Sequence, residues 1–415
     1  MDFAYTPKVE ELRRRMRDFL DDHIVPRIRS WRDEVHAGQY PVSFMEDLKA
    51  LAKSEGLWNL FLPALADDEP GTRLTNLEYA PLAEIMGRVS WASEVFNCNA
   101  PDTGNMELLH MFATPEQRAQ WLVPLLEGEI RSAFAMTEPD VASSDATNIT
   151  TSIRRDGDDY VIDGRKWFIT NAAHPNCRIL IVMGKTDPDA ERHRQQTMVL
   201  VPRDTAGVEI VRNITTMNHV APEGHCEVVF RNVRVPVSNR LGDEGSGFAL
   251  AQARLGPGRI HHCMRSIGAA ELALELMTER AQERKTFGRY LHQHGTVSEW
   301  IARSRIEIDQ ARLLVLKTAW MIDRAGAKGA RKEISMIKAL VPAMHTTVCD
   351  RAIQVFGAMG ISPDTPLADS WTWGRALRFA DGPDEVHLQS IARMEIGSSK
   401  ATLGNAADYL TPPTR

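Results

Sequence analysis

The chain has 415 residues, a formal net charge of −6 and 43% hydrophobic residues, too long for one ordinary core and suited to two or three globular domains. A pI of about 6.1 gives no electrostatic reason to expect nucleic acid or an anionic membrane as partner. The five cysteines, Cys98, Cys177, Cys226, Cys263 and Cys349, are odd in number and widely spaced. They read as reduced thiols in a cytoplasmic setting, and the lack of a Cys-x-x-Cys or His-x-x-x-His pair predicts no metal. No signal-peptide stretch or uncharged run of membrane-spanning length stands in the sequence, and Thr411-Pro-Pro-Thr-Arg415 is not a peroxisomal address.

Residues 1–130 read as a helical domain. Leu12, Met16 and Phe19 recur at three- to four-residue intervals among charges, one buried stripe on a helix over Val9–Phe19. Pro26 ends that run or starts the next. Further helices are predicted at Phe44–Ser54, Asn76–Gly87 and Pro115–Leu126, the last capped by Thr114 with Pro115 in its first turn. The stretch from Phe96 to Met106 is unusually polar for its apolar flanks and reads most simply as a solvent-facing loop.

From 131 to 240 the period changes to two. Runs at Ile149–Arg154, Tyr160–Ile162, Lys166–Thr170, Arg178–Met183, Thr197–Val201, Val208–Arg212 and Cys226–Val235 are punctuated by Asp-Gly, Pro and Asn, which predicts a small barrel or sandwich. Glu191–Gln196 reads as an exposed hairpin tip. Within this region Phe134-Ala-Met-Thr-Glu-Pro-Asp-Val-Ala-Ser-Ser-Asp145 runs from a strand-like start into a Pro-broken loop rich in hydroxyls and backbone donors, which suits a phosphate or pyrophosphate. Tyr160-Val-Ile-Asp-Gly-Arg-Lys-Trp-Phe-Ile-Thr-Asn171 has an Asp163-Gly164 turn and then two adjacent aromatics, which strand alternation would send to opposite faces.

Residues 241–415 return to a helical pattern. Leu241-Gly-Asp-Glu-Gly-Ser-Gly-Phe248 has the wrong glycine spacing for a dinucleotide fingerprint and fits a hinge entering a helix. Ile260, Met264, Ile267, Leu274 and Met277 form one stripe, and Ile301, Ile308, Ala311 and Val315 another. A third helix, Glu333–Phe356, contains Pro342, which should kink it or mark its start. Long helices with such stripes predict a bundle.

Thr-Glu-Pro followed about thirty residues later by Lys-Trp-Phe-Ile-Thr-Asn resembles the flavin-binding signature of the acyl-CoA dehydrogenase family, and the resemblance extends over nearly the whole chain. It implies a multidomain α+β fold: an N-terminal helical domain, a central β domain and a C-terminal four-helix bundle. It also implies FAD as cofactor, with Phe134, Met136 and Thr137 along the isoalloxazine, Ser143 or Ser144 at the pyrophosphate, and Phe168 and Thr170 flanking the ring while Trp167 packs inward. Arg284-Lys-Thr-Phe287-Gly288 is similar to the family's Arg-x-x-Phe-Gly, and Gln354-Val-Phe-Gly357 to its Gln-x-x-Gly. Both serve the flavin of a neighbouring subunit there, which implies a homodimer or homotetramer. Gly295 stands where a further glutamine is common.

For the chemistry, the resemblance implies removal of an α-proton from an acyl-CoA thioester, hydride transfer to flavin and delivery of electrons to an electron-transfer flavoprotein. The family's Glu-Gly-Thr base segment is Asp381-Gly382-Pro383 here, and the carboxylate falls short by roughly 1.5 Å. Asp384 and Glu385 are weaker candidates. Other branches place the base just before a substrate-binding arginine, where this chain has Gly258 ahead of Arg259. Donors for the carbonyl oxygen would be the Asp381 N–H and a flavin ribityl hydroxyl, and burial against Phe379 should raise the base's pKa.

The Asp-Gly-Pro-Asp-Glu-Val-His run and the Asp-Val-Ala-Ser-Ser-Asp loop resemble the branch whose animal members carry a kinase-like domain and handle 4-hydroxyacyl-CoA. On that reading Asp102 and Asn105 would face an oxygen-bearing acyl tail, the alternative to a loop for this polar segment. A flavin oxidase of the same fold, including nitroalkane oxidases, and a non-catalytic DNA-associated homologue are the rival readings.

Overall fold

The structure is a computed structural model that describes residues 4–399 and Tyr409; the Thr411–Arg415 segment read above lies outside the described residues. The N-terminal part holds helices α1 (Pro7–Phe19), α2 (Ile28–His36), α3 (Met45–Ser54), α4 (Asn76–Met86) and α5 (Asp102–Phe112), followed by one irregular helical run, 115–127. Thr6 caps α1 by accepting from Val9 N, and Val9, Leu12, Met16 and Phe19 form its buried stripe. Thr75 opens α4 through a reciprocal capping box with Glu78, and Thr114 does the same with Gln117.

The polar stretch is not a solvent-facing loop. Asp102, Thr103 and Asn105 are buried in the first turn of α5, because Arg131, Ser132 and Asn171 supply partners from the neighbouring sheet.

Strands β1 (Arg131–Ala135), β2 (Ser152–Asp156), β3 (Asp159–Thr170), β4 (Cys177–Lys185), β5 (Gln196–Pro202), β6 (Val208–Asn213), β7 (His225–Pro236) and β8 (Arg240–Leu241) form one mixed sheet in the order β6-β7-β3-β2-β4-β5-β8, with β1 parallel to β4. Its halves join through the single β2–β4 pair Ser152–Lys185. Ile179, Ile181 and Met183 face the helices, while Leu180 and Val182 pack with Tyr160, Ile162 and Phe230 of the other half. Strand β4 is therefore covered on both faces, which explains its near-continuous apolar run.

Asp163-Gly164 is not a turn between strands. It is a register shift inside β3, and a Cβ on Gly164 would lie 2.3 Å from Thr151 Oγ1, so close packing requires the glycine. The aromatics after it do not alternate either. A second shift between Lys166 and Ile169 leaves both of those residues buried, with Trp167 and Phe168 in the bulge between them, their rings edge to face at 5.1 Å.

The C-terminal part is built on three long helices, α6 (Gly247–Glu283), α7 (Gly295–Gly329) and α8 (Arg331–Phe356), with α9 (Leu367–Leu377) and α10 (Asp384–Ser399) laid on α8. Pro342 lies inside α8 without ending it. A hairpin of β9 (Lys285–Thr286) and β10 (Arg289–Tyr290) links α6 to α7. Helices α4 and α6 cross at contact distance: a Cβ on Gly268 would lie 1.7 Å from Glu84 O, and one on Gly87 2.0 Å from Arg265 O. This crossing fixes α6 against the N-terminal helices, and one apolar core runs through both. Among the described residues no helix is long and apolar enough to cross a membrane.

Candidate active site

Helix α6 supplies one wall of the site. Arg254, Gly258 and His262 are four residues apart and share a face. The Arg254 guanidinium lies 4.1 Å from the Phe134 ring centroid, its Nε donates to Asn105 Oδ1 (2.9 Å), and it is buried. Eight residues on, roughly 12 Å along the helix, His262 Nε2 stands 3.6 Å from Asp381 Oδ2. Arg254 therefore meets the sheet while His262 meets the loop that carries the proposed base.

That loop is clamped from three sides. Asp381 adopts a left-handed φ of 56° and Gly382 a φ of 107°, a conformation that asparagine, aspartate and glycine tolerate best. Arg259 Nε donates to Asp381 O at 2.9 Å. His387 Nε2, on α10, lies 3.3 Å from the same oxygen. Lys338 of α8, fully buried, donates to Leu377 O and to Gly382 O, the latter at 3.2 Å. Arg378 closes the loop on Asp384 (2.6 Å). Thus Arg259 and Gly382 serve the shape of the turn, and Asp384 is taken up in an ion pair.

The Asp381 side chain is 17% exposed and makes no hydrogen bond within the described chain, nor does its backbone N–H. Burial would raise its carboxyl, but His262, Arg254, Arg259 and Lys338 together hold it below the ordinary carboxylate value. The expected net upward shift is not present, because these neighbouring groups outweigh the pull of burial; Phe379 itself is 61% exposed. His262 itself is pushed down to about 3, by burial first and then by Arg265, so it meets Asp381 as a neutral dipole. Glu107 on α5 is the opposite case. It is buried, its Oε2 has no partner, and its carboxyl is pushed well up by burial against only partial relief from Arg254.

The two signature segments are joined by a buried ion pair. Lys166 Nζ contacts Glu138 Oε1 (2.9 Å), Met136 O (2.9 Å) and Met183 O (2.7 Å). Glu138 also accepts from Thr150 N (2.7 Å) and Thr151 N (2.9 Å). Trp167 N donates to Thr137 O (3.0 Å). Around this frame Phe134 and Met136 are half-buried, while Thr137 and Phe168 are exposed, Phe168 at a left-handed φ of 52°. Thr170 Oγ1 lies 3.0 Å from His225 Nδ1. Ser143 Oγ accepts from Glu138 N (2.9 Å) and closes the loop on itself, whereas Ser144 is exposed and makes no hydrogen bond in the described chain.

Asp102 holds the frame from below. Its Oδ1 accepts from Ser132 N (2.7 Å) and Ser132 Oγ (2.6 Å), and its Oδ2 meets Arg131 Nε (2.7 Å) and Asn171 Nδ2 (3.0 Å). Arg131 continues to Glu94 (3.0 Å), which Tyr40 also reaches (2.7 Å). Asn105 joins Ser132 Oγ (2.9 Å) to Arg254. Both residues read as tail contacts from sequence thus have their polar atoms engaged inside the protein.

Arg284, Phe287, Gln354 and Gly357 are not brought to this cleft. From Gly258 to Arg284 is twenty-six residues along α6, roughly 39 Å. At that far end Arg280 stacks on Phe356 at 5.4 Å. Arg284, Gln354 and Gly357 are exposed there, and Phe287 is 94% exposed at the hairpin tip. Arg254, His262, Lys338 and Glu107 were not singled out from sequence. The four-residue spacing Arg254, Gly258, His262 was the available signal for the first two. Lys338 and Glu107 gave none, because their partners are distant in the chain.

Comparison with known proteins places this architecture. Models of the acyl-CoA dehydrogenase N-terminal, middle and C-terminal domains match residues 6–129, 133–233 and 245–396. The chain is 57% identical to the Mycobacterium tuberculosis protein named "Probable acyl-CoA dehydrogenase FadE2", over 98% of this chain and 100% of that one. It is 51% identical to acyl-CoA dehydrogenase family member 11 of Gallus gallus, covering 95% of this chain and spanning about half (51%) of the longer protein. A solved structure from Mycobacterium abscessus superposes with a TM-score of 0.91 at 48% identity, over 95% of this chain and 100% of that one. The chain belongs to the FAD-dependent acyl-CoA dehydrogenase family.

Proposed function

We propose that this protein dehydrogenates an acyl-CoA thioester between Cα and Cβ, with Asp381 as the base. The observation that carries the assignment is the convergence of two chain positions: a Cβ on Gly258 would lie 3.6 Å from Asp381 Oδ2. Gly258 is where other branches of the family place their base, so a missing carboxylate on α6 and a present one on the Asp381 loop address the same point. The glycine leaves room for the shorter side chain.

The residues present suit FAD. Phe134 and Met136 offer half-buried apolar surface, Phe168 is exposed, and Lys166 holds the Met136 carbonyl in place. In this reading Phe134, Met136, Thr137, Phe168 and Thr170 hold the ring, and Ser144 takes the pyrophosphate because Ser143 is occupied within its own loop. Bound FAD supplies the acceptor for the hydride leaving Cβ. Asp381 receives the α-proton as the Cα–H bond breaks, and its unpartnered N–H is free to donate to the thioester oxygen, where charge accumulates. The distant group Arg284, Phe287, Gln354 and Gly357 then serves a second copy's cofactor, as their exposure at the far end of α6 supports. Electrons leave to an electron-transfer flavoprotein.

The test is a panel of acyl-CoA thioesters, 4-hydroxy ones included, scored under argon by loss of flavin absorbance with Asp381→Asn as control. Bleaching by at least one thioester, absent in the variant, is expected. A variant as fast as its parent would remove Asp381 from the reaction, and rapid reoxidation in air would favour an oxidase.

A further inference from the structure

A second residue stands behind the proposed base. His262 Nδ1 lies 3.2 Å from Arg265 Nη2, and Arg265 Nη1 donates to Cys98 O (3.1 Å). Arginine has donors only, so Nδ1 must be the bare, accepting nitrogen and the proton sits on Nε2. That Nε2–H is the atom 3.6 Å from Asp381 Oδ2. The separation is slightly longer than a hydrogen bond, as such contacts often are before substrate closes the site. Trp373 borders the imidazole, ring to ring at 6.3 Å, and the side chain is 11% exposed.

We propose that His262 is a positioning residue for Asp381: its Nε2–H, locked in that tautomer by Arg265, holds Oδ2 and turns Oδ1 toward the substrate's α-carbon. The inference rests on the reading of Asp381 as the base. It accounts for how a carboxylate one methylene short works from this loop, since a free aspartate rotamer would spread its two oxygens over orientations of which few reach the substrate. Because Arg265 occupies Nδ1, His262 has no free site for a second proton. When the Cα–H bond breaks and an O–H bond forms at Oδ1, the imidazole stays neutral and keeps its donation to Oδ2. The groups facing Asp381 are Arg254 and Arg259 from α6, Lys338 from α8 and His387 from α10, and those facing His262 are Arg265, Asp381, Lys338 and Arg254. Three full positive charges thus remain beside the carboxylate whatever happens at His262, and only its donor is removed by substitution.

The experiment uses the FAD-loaded enzyme with the best thioester of the panel, following flavin bleaching in rapid mixing from pH 4.5 to 9 in the parent, His262→Ala, His262→Gln and Asp381→Asn. An infrared difference titration of the parent against Asp381→Asn, repeated in the His262→Ala background, reports the ionisation of Asp381 without turnover. His262→Ala is expected to slow bleaching roughly 10- to 100-fold with thioester affinity changed less than about twofold. It should also move the infrared transition, which in the parent lies below the ordinary carboxylate range, upward by about one unit. His262→Gln, which keeps an N–H at similar reach, should recover most of the rate. The proposal is overturned if His262→Ala stays within about twofold of the parent, or if both His262 variants lose rate equally while the infrared transition does not move. An Asp381→Asn enzyme as fast as the parent would instead bring down the base assignment itself.

Discussion

Gly258 and Asp381 oppose each other across the site, the place of a missing Cβ on one lying 3.6 Å from Oδ2 of the other. A carboxylate delivered from α6 should therefore substitute for one delivered from the loop. Asp381→Asn is expected to lower the bleaching rate about 10²- to 10⁴-fold, the range of a lost general base. Adding Gly258→Glu to that variant should restore at least about tenfold, whereas Gly258→Glu alone should slow the parent by crowding Asp381. If the double variant is no faster than Asp381→Asn, the two positions do not share a target.

The pair Lys166–Glu138 is buried on both sides, with side chains 0% and 1% exposed. Burial lowers the lysine to about 8, and Glu138 is held down at about 2 by Lys166 and the threonine donors against the upward pull of burial. Lys166→Met leaves Glu138 unpaired and should cost about 3–5 kcal/mol, while Lys166→Met with Glu138→Gln should cost less than the single change. Urea midpoints of the three proteins decide this. A single variant as stable as the parent would mean the carboxylate is satisfied by its threonine partners alone.

The helix α5 shows where sequence reading stops. Asp102, Thr103, Gly104 and Asn105 look like a loop because small polar residues favour turns. They fold into a buried turn because Arg131 and Ser132 on β1 and Asn171 at the end of β3 meet them, and no local pattern announces partners up to 69 residues away. The Asp163-Gly164 and Trp167-Phe168 positions mislead in another way. Turn-forming and alternating residues also build bulges, and only the pairing with β7 distinguishes the two. The helical stripes of α1 and α6 were legible because their apolar period is a local property, as the burial of Leu12, Met16, Phe19, Ile260, Met264 and Ile267 shows. Asp381 could be reached by resemblance, but its partner His262 depends on how α6 lies against the loop after α9.

Asp102 allows a direct test of its two readings. As part of the ion pair with Arg131 (2.7 Å), its replacement by Asn leaves a buried guanidinium short of charge and should cost about 3–5 kcal/mol of stability. Thioester affinity in the folded fraction should be unchanged. A shifted affinity for hydroxylated over plain thioesters, with little loss of stability, would return Asp102 to the substrate.

Acid should weaken the fold well before it protonates Glu138. Burial holds His174 and His262 down at about 3 and His345 and His387 at about 4, whereas an unfolded histidine titrates near 6.5. Between these values the unfolded chain binds more protons, so stability rises with pH and falls as pH drops below about 6.5. At pH 5 each such histidine removes roughly 2 kcal/mol. Urea midpoints measured at pH 7 and pH 5 should differ accordingly, and His345→Gln, on α8, should reduce the difference. Equal midpoints would show that these rings are charged in the fold.

Phe287 offers the clearest test of a cofactor site completed by a second copy. It sits at φ 49° beside Gly288 at φ 78°, the pair forming the tip of the β9–β10 hairpin, a geometry that turns the ring away from its own chain and leaves it 94% exposed. Large apolar side chains displayed this way mark contact surfaces, and Arg284 at the base of the same hairpin is exposed as well. Phe287→Ser removes no packing within the chain, so the circular dichroism of the subunit should not change. If the tip reaches a neighbour, the variant should lose bound FAD on gel filtration and elute at a smaller size, with Arg284→Gln losing FAD but keeping its size. A variant that retains parental mass and colour would leave the hairpin as surface only, and the site would have to be complete within one chain.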